Sequence, residues 1–251
     1  MPAVPVDGHP CPAFAVRRCV LPALLLAALA GSGWPQLISN VDFDAIRRAV
    51  SDTASPYYYP ELRRRLLRFD PTLGRGDYRH LYYGQVYQDS YDPVNTTLLE
   101  REREYFVSVS AGKRAAAAAA ARELVRRDPL NLKYNQMAAA ILVQRGDSAA
   151  ARAHLRRWRS LVDVILASGD GRSDSTAYVV TRVPDEYQVL AHLGLATTSH
   201  IFRGGPAGQR RYSDVFALQP NRAGRDSVHF NTNWSYWYLQ RSVEPDTRGT
   251  P

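Results

Sequence analysis

LLEREREYFVSVSAGKRAAAAAAARELVRRDPLN, residues 98–131, and LKYNQMAAAILVQRGDSAAARAHLRRWRSLVDVI, residues 132–165, align without a gap at an offset of 34 residues. Gly112 falls on Gly146, Ala117 on Ala151 and Ala121 on Leu155. A period near 34 is the mark of paired antiparallel helices that bury their shared face by stacking on neighbours. Glycine at the inter-helix turn supplies the permissive backbone the turn needs, and small residues in the second helix let two backbones approach. Asp128-Pro129 ends one unit and starts the next.

Working outward towards the N-terminus, Phe43, Ile46 and Val50 share a helical face over residues 41–50, with Asp42 and Asp44 in the first turn and Arg47 and Arg48 in the last, which complements the helix dipole. Ser55-Pro56 breaks that helix. Pro60 opens a second, carrying Leu62, Leu66 and Leu67. A turn at Leu73-Gly-Arg-Gly76 leads through Asp77, read as an N-cap, into a third helix ending near Tyr87. His80, Tyr83, Gly84 and Tyr87 share one face of it, the pattern of a degenerate further repeat.

Towards the C-terminus the composition changes. Residues 168–175, SGDGRSDS, form a polar loop. Thr176 to Val183 reads as a strand, and Pro184 begins a helix with Leu190 and Leu193 inward. From His200 onward short strands alternate with turns, and Ser227 to Tyr236 reads as one half-buried strand. The fold class is therefore mainly α (α+β): tetratricopeptide-like antiparallel hairpins over residues 41–167, with a loop and small α+β region with a C-terminal β-sheet over 168–240 and a disordered tail over 241–251.

Residues 1–30 read as a secretory signal peptide: Arg17 and Arg18 precede the apolar run Cys19–Ala30, which ends in Ala28-Leu29-Ala30. That run is shorter than the roughly 17 to 25 residues of a membrane-spanning helix. Residues 31–40 read as a linker. Cleavage near residue 30 removes Cys11 and Cys19, and with them any disulfide, thiol nucleophile or zinc–thiolate site. The formal net charge of +8 becomes +7 when Arg17, Arg18 and Asp7 leave. The arginines are interspersed with acids, as in Glu100-Arg-Glu-Arg-Glu104, so no stripe for nucleic acid forms. The expectation is a periplasmic or secreted protein with no membrane span after signal cleavage.

The ordered segments Asp42-Phe-Asp-Ala-Ile46, Ser55–Pro60 (SPYYYP), Tyr78–Gly84 (YRHLYYG), Asp128-Pro-Leu-Asn131, Ser168-Gly-Asp-Gly171, Thr176-Ala-Tyr178 and Asp185-Glu-Tyr187 resemble a bacterial family known as domain of unknown function 4919. The resemblance covers residues 42 to about 240 and implies a helical, repeat-like exported protein. It carries no activity and no functional residue. Arg203 to Arg225 fits the family less well and reads as an insertion.

No His-Glu-x-x-His pair, phosphate-cradling glycine loop or Gly-x-Ser-x-Gly elbow is present. No catalytic residue, metal ligand or cofactor is assigned. The candidate binding residues are His80, Tyr83 and Tyr87, an imidazole beside phenols, and Asp170 and Ser173 in the polar loop. Two functions follow from different classes. One is a non-enzymatic binding or scaffolding module whose hairpins meet an envelope protein or peptide. The other is a small envelope-directed hydrolase with its site near His80 and Asp170. A pocket joining carboxylates would favour the enzyme, and a concave face with exposed aromatics the binder.

Overall fold

A computed structural model of the chain describes residues 41–204 and 212–243, all within one compact unit; the expected signal peptide, the linker and the residues past 243 lie outside the described residues. Helix α1 (Phe43–Ser51) starts where the Asp42 carboxylate accepts the Ala45 amide at 2.8 Å, and it buries Ile46 and Val50. Helix α2 (Tyr59–Leu67) has Pro60 in its first turn and buries Leu62 and Leu66. Helix α3 (Arg75–Gly84) is capped differently from the expectation. Gly74 is its N-cap, and Asp77, inside the first turn, reaches back to the Gly74 amide at 2.8 Å. The chain tightens into a 3₁₀ turn at Gln85–Tyr87.

Helices α4 (Leu99–Ser110), α5 (Arg114–Arg127), α6 (Leu132–Gln144) and α7 (Ser148–Leu166) are the two hairpins expected from the 34-residue register. Their turns close in the same way. Gly112 (φ +68°) and Gly146 (φ +82°) occupy the left-handed region. The Lys113 amide donates to Ser108 O and Asp147 to Leu142 O, while Gly112 donates to Val109 O and Gly146 to Val143 O, the paired bonds that close a helix through a C-terminal glycine. Ala117 and Ala151 are both buried. Ala121 is buried too, yet its counterpart Leu155 is 44 % exposed, because no third hairpin follows α7 to cover it.

The C-terminal layer contains β1 (Tyr178–Val179), α8 (Pro184–His192), β2 (Thr197–Gly204), β3 (Tyr212–Leu218), β4 (Ser227–Asn231) and α9 (Asn233–Val243). The sheet order is β1-β4-β3-β2, with β1 parallel to β4 and the other pairs antiparallel. Four expectations are corrected. The strand expected over Thr176–Val183 is only two residues long, prolonged by one bond from Val180 N to Asn231 O. The strand expected over Ser227–Tyr236 stops at Asn231. The Asn233 side chain there accepts the Tyr212 amide, Tyr236 N bonds back to Thr232 O, and the chain turns into α9. Residues 241–243, expected in the disordered tail, belong to α9, and Arg203–Arg225, read as an insertion, holds β3, an interior strand of the sheet.

Two cores result. One, within the first hairpin and α6, packs Tyr105, Leu124 and Ile141 against an alanine floor. The larger joins α1–α3, α7, α8 and the sheet through Leu62, Leu81, Val162 and Phe230.

Candidate ligand-binding groove

Where α5, α6 and α7 face the end of α2, the repeat's small side chains leave space. The result is a groove of about 420 Å³ whose walls include Ala118, Ala121, Val125 and Ile141. Leu67, Phe69, His154 and Arg157 also line it. Leu67 and Phe69 are both more than a third exposed, unusual for large apolar side chains beside a cavity.

Arg157 is the largest fully buried side chain among the described residues, 2 % exposed. It donates through Nη2 to Leu66 O, near the C-terminal end of α2, where a cation is favoured. The Phe69 ring lies over its guanidinium at 3.9 Å. Its Nε and Nη1 have no hydrogen-bond partner, and no carboxylate among the described residues forms an ion pair with it. Burial pulls its pKa down to about 10, only partly opposed by the Tyr78 phenol. A buried charge without a counter-charge is costly, and such groups are ordinarily paired.

Phe69 is itself strained. It follows α2 with φ +55°, closing the helix from the position that usually takes glycine, and a side chain there costs about 1–2 kcal/mol. Strain of this kind gathers at ligand sites. His154 meets Phe69 edge to face at 4.7 Å, and its Nδ1 lies 3.2 Å from Asn135 Oδ1. Burial, followed by the Arg157 charge, lowers its pKa to about 4, so the ring is neutral at ordinary pH.

From His154 a continuous hydrogen-bond chain runs to the C-terminal layer. Asn135 Nδ2 donates to Asn131 O at 2.9 Å, Asn131 Nδ2 to Asp128 Oδ2 at 3.3 Å, and Arg182 Nη2 to Asp128 Oδ1 at 2.9 Å. Asn95, in the left-handed region at φ +58°, clasps the same carboxylate at 2.6 Å. Beside them is a second cavity of about 190 Å³, reached by Arg63, Arg127 and Arg182. Asp185 accepts the Tyr82 hydroxyl at 2.7 Å, and burial raises its pKa to about 6 against the pull of Arg182.

The residues singled out from the sequence are placed as follows. The His80 ring stacks on Tyr57 at 3.7 Å with its Nδ1 2.8 Å from Gly76 O, and burial lowers its pKa. Tyr83 is buried and donates to Val179 O at 3.2 Å, and Tyr87 donates to Phe43 O at 3.0 Å. Asp170 accepts the Arg172 amide and the Thr176 hydroxyl, while the Ser173 hydroxyl meets those of Ser175 and Thr176. Asp170 and Ser173 thus share one closed loop. No hydrogen bond, ion pair or ring contact joins either to His80.

That loop is tied to the sheet through Asp174, which meets His229 Nδ1 at 2.7 Å and Arg203 at 3.2 Å, while His229 Nε2 is 3.3 Å from the Ser227 hydroxyl. The order hydroxyl–imidazole–carboxylate is that of a hydrolytic triad. Here the carboxylate is shared with Arg203 and nearly half exposed, so it acts as a surface clasp. Among the described residues no group of three His, Cys, Asp or Glu side chains could hold a metal ion, and no helix is long and apolar enough to cross a membrane.

Sequence reasoning missed Arg157, His154 and Phe69. Arg157 is one of four arginines in a short run of α7, and its buried partner Leu66 is 91 residues away.

A protein-family model described as "Domain of unknown function (DUF4919)" matches residues 44–235, from α1 into α9. No curated protein and no solved structure matches the chain.

Proposed function

We propose, from the premise that the chain belongs to the domain of unknown function 4919 family, that it is an exported, non-enzymatic binding module. Its two tetratricopeptide-like hairpins receive an extended peptide segment of an envelope protein in the groove between them. The observation that carries this reading is the groove, walled by alanines on facing helices and lined also by exposed Leu67 and Phe69 and buried Arg157. Alanine walls leave room for another chain's side chains, and exposed apolar surface beside a concavity is the ordinary signature of a partner site. The groove's charged side chains are Arg122, Arg126, Arg157 and Asp147, an excess of positive charge that suits an acidic peptide. Export rests on the arginine pair and apolar run of residues 17–30. For the hydrolase alternative, the His80 ring is stacked on Tyr57 with its Nδ1 on Gly76 O, and the nearby Asp77 carboxylate is taken up by the Gly74 amide and Arg65.

Selection of phage-displayed peptides on the chain from residue 31 onward tests the reading. Enriched peptides should lose binding to Ala150→Trp, which fills the groove from α7. Failure to enrich any peptide, or binding indifferent to Ala150→Trp, would sink it.

A further inference from the structure

We propose that the groove reads a free peptide C-terminus, whose carboxylate seats on the Arg157 guanidinium after displacing the Phe69 ring that covers it. The inference rests on the peptide-groove reading and adds to it the chemistry of the recognised end.

Arg157 presents a chemical deficit. A fully buried guanidinium has five N–H donors and needs anionic or carbonyl acceptors. In this chain it has one carbonyl, Leu66 O, and the neutral Tyr78 phenol nearby, while its Nε and Nη1 have no acceptor at hydrogen-bonding distance. Among the described residues the other buried arginine, Arg182, also has an unbonded Nε and Nη1, but it has a counter-charge, Asp128 bonded at 2.9 Å with Asp185 beside it. Arg157 has no such acid, although it lines the larger cavity. A carboxylate is the acceptor that guanidinium geometry matches best, and an N⁺–H···O⁻ bond is about twice as strong as a neutral one.

Phe69 occupies the place of the missing anion. Its ring face gives Arg157 a weak electrostatic partner at 3.9 Å. The same ring helps seal the unpaired nitrogens, both of which are out of contact with solvent. A ligand therefore reaches them only when the ring swings out. Two features make that motion inexpensive. Phe69 lies in a turn after α2, and the residue is already 37 % exposed. Displacement exchanges one cation–π contact for a charge-assisted bond.

The burial of the guanidinium favours a chain terminus. Arg157 is 2 % exposed with its guanidinium on Leu66 O, so a carboxylate at the end of a chain reaches it with the least backbone to bury. A terminal carboxylate ends there naturally, while the last apolar side chain rests against the alanine walls.

The test uses fluorescein-labelled pentapeptides ending in Ala, Val, Leu or Phe, each with a free or an amidated C-terminus, titrated into the chain from residue 31 onward by fluorescence anisotropy. Free-acid peptides should bind, and amidation should weaken them about tenfold or more. Phe69→Ala should tighten binding of the free acids, since the ring no longer competes. Arg157→Met should abolish their preference over the amides while leaving the melting temperature unchanged or higher, because an unpaired buried charge is removed. Should Arg157→Met fail to fold, the Phe69→Ala arm and the acid-to-amide ratio still decide. Equal affinity for acid and amide forms overturns the carboxylate inference and leaves the peptide groove standing. Binding of no peptide in either form overturns both. Binding of amidated peptides only when they carry an internal Asp or Glu overturns the C-terminal assignment, as does binding of dodecanoate without any peptide.

Discussion

Glu186 and Asp214 lie next to one another between α8 and β3 with no exposed surface, and the pair keeps Glu186 protonated. Burial is the main cause and the Asp214 charge the second, together raising the Glu186 pKa to about 10. His200 meets Asp214 at 2.6 Å while stacked on Phe216, so Asp214 has a polar partner. Glu186 has no polar partner other than Asp214 itself, with which the protonated carboxyl shares its hydrogen.

The first prediction follows by linkage. A carboxyl whose pKa is higher folded than unfolded stabilises the fold fully below its unfolded value, and that contribution is lost as pH rises towards about 10. Relative to Glu186→Gln, the native chain should therefore lose stability with rising pH from about 5 to 9, by up to about 1.4 kcal/mol per unit. Urea denaturation of both proteins at three pH values measures the gap. A gap that does not widen with pH would show that another group titrates.

His154 works at the other end of the scale. Its folded pKa of about 4 lies below the ordinary value of 6.5, so the unfolded chain takes up a proton that the folded chain resists. Stability from this group is present above about 6.5 and is lost as pH falls towards about 4. The His154 ring signal should titrate near 4 by NMR, and His154→Gln should flatten the acid limb of a thermal-stability profile. A ring midpoint near 6.5 would contradict the buried placement.

Asp128 anchors the polar chain between the hairpins and the sheet, holding Arg182, Asn95 and Asn131 at once. Asp128→Ala is expected to cost about 3–5 kcal/mol, the usual loss when one partner of a buried ion pair is removed. Asp128→Leu combined with Arg182→Met should recover most of that loss. Denaturant midpoints decide it. A single-variant loss under about 1 kcal/mol would mean that Asp185 alone compensates Arg182.

The hairpins are legible because their signals are local. Gly112 and Gly146 sit 34 residues apart in turns that close in the same way, and the bonds that close each turn span five residues at most. Helix α9 was hidden because Val228, Phe230, Thr232, Trp234 and Tyr236 continue a strand-like alternation. The competing helical signal, Trp234 with Trp237 three residues on, packs edge to face at 5.4 Å. The groove was less legible still. The arginine run 156–159 around Trp158 does not say which side chain turns inward, and Arg68-Phe69-Asp70 ends a helix without the glycine that would announce it. Those features depend on α7 meeting α2 across 91 residues, a tertiary fact with no local trace.

Two glycines in turns should respond unequally to alanine. At Gly112 a Cβ would meet nothing within 4 Å, and the cost is the left-handed backbone alone, about 1–2 kcal/mol. At Gly169 the Cβ would stand 2.2 Å from Thr176 O and 2.6 Å from Ala177 O, both backbone atoms. They cannot retreat without opening the loop that the Asp170 and Gly171 amides close on Thr176 O, at 3.0 and 2.8 Å. Gly169→Ala should therefore exceed the roughly 1–3 kcal/mol of ordinary overpacking. It should also speed hydrogen exchange at the Gly171 amide, whereas Gly112→Ala leaves that amide protected. Equal losses of melting temperature with Gly171 still protected would mean that the polar loop yields locally, and that its closure on β1 contributes little to holding the C-terminal layer together.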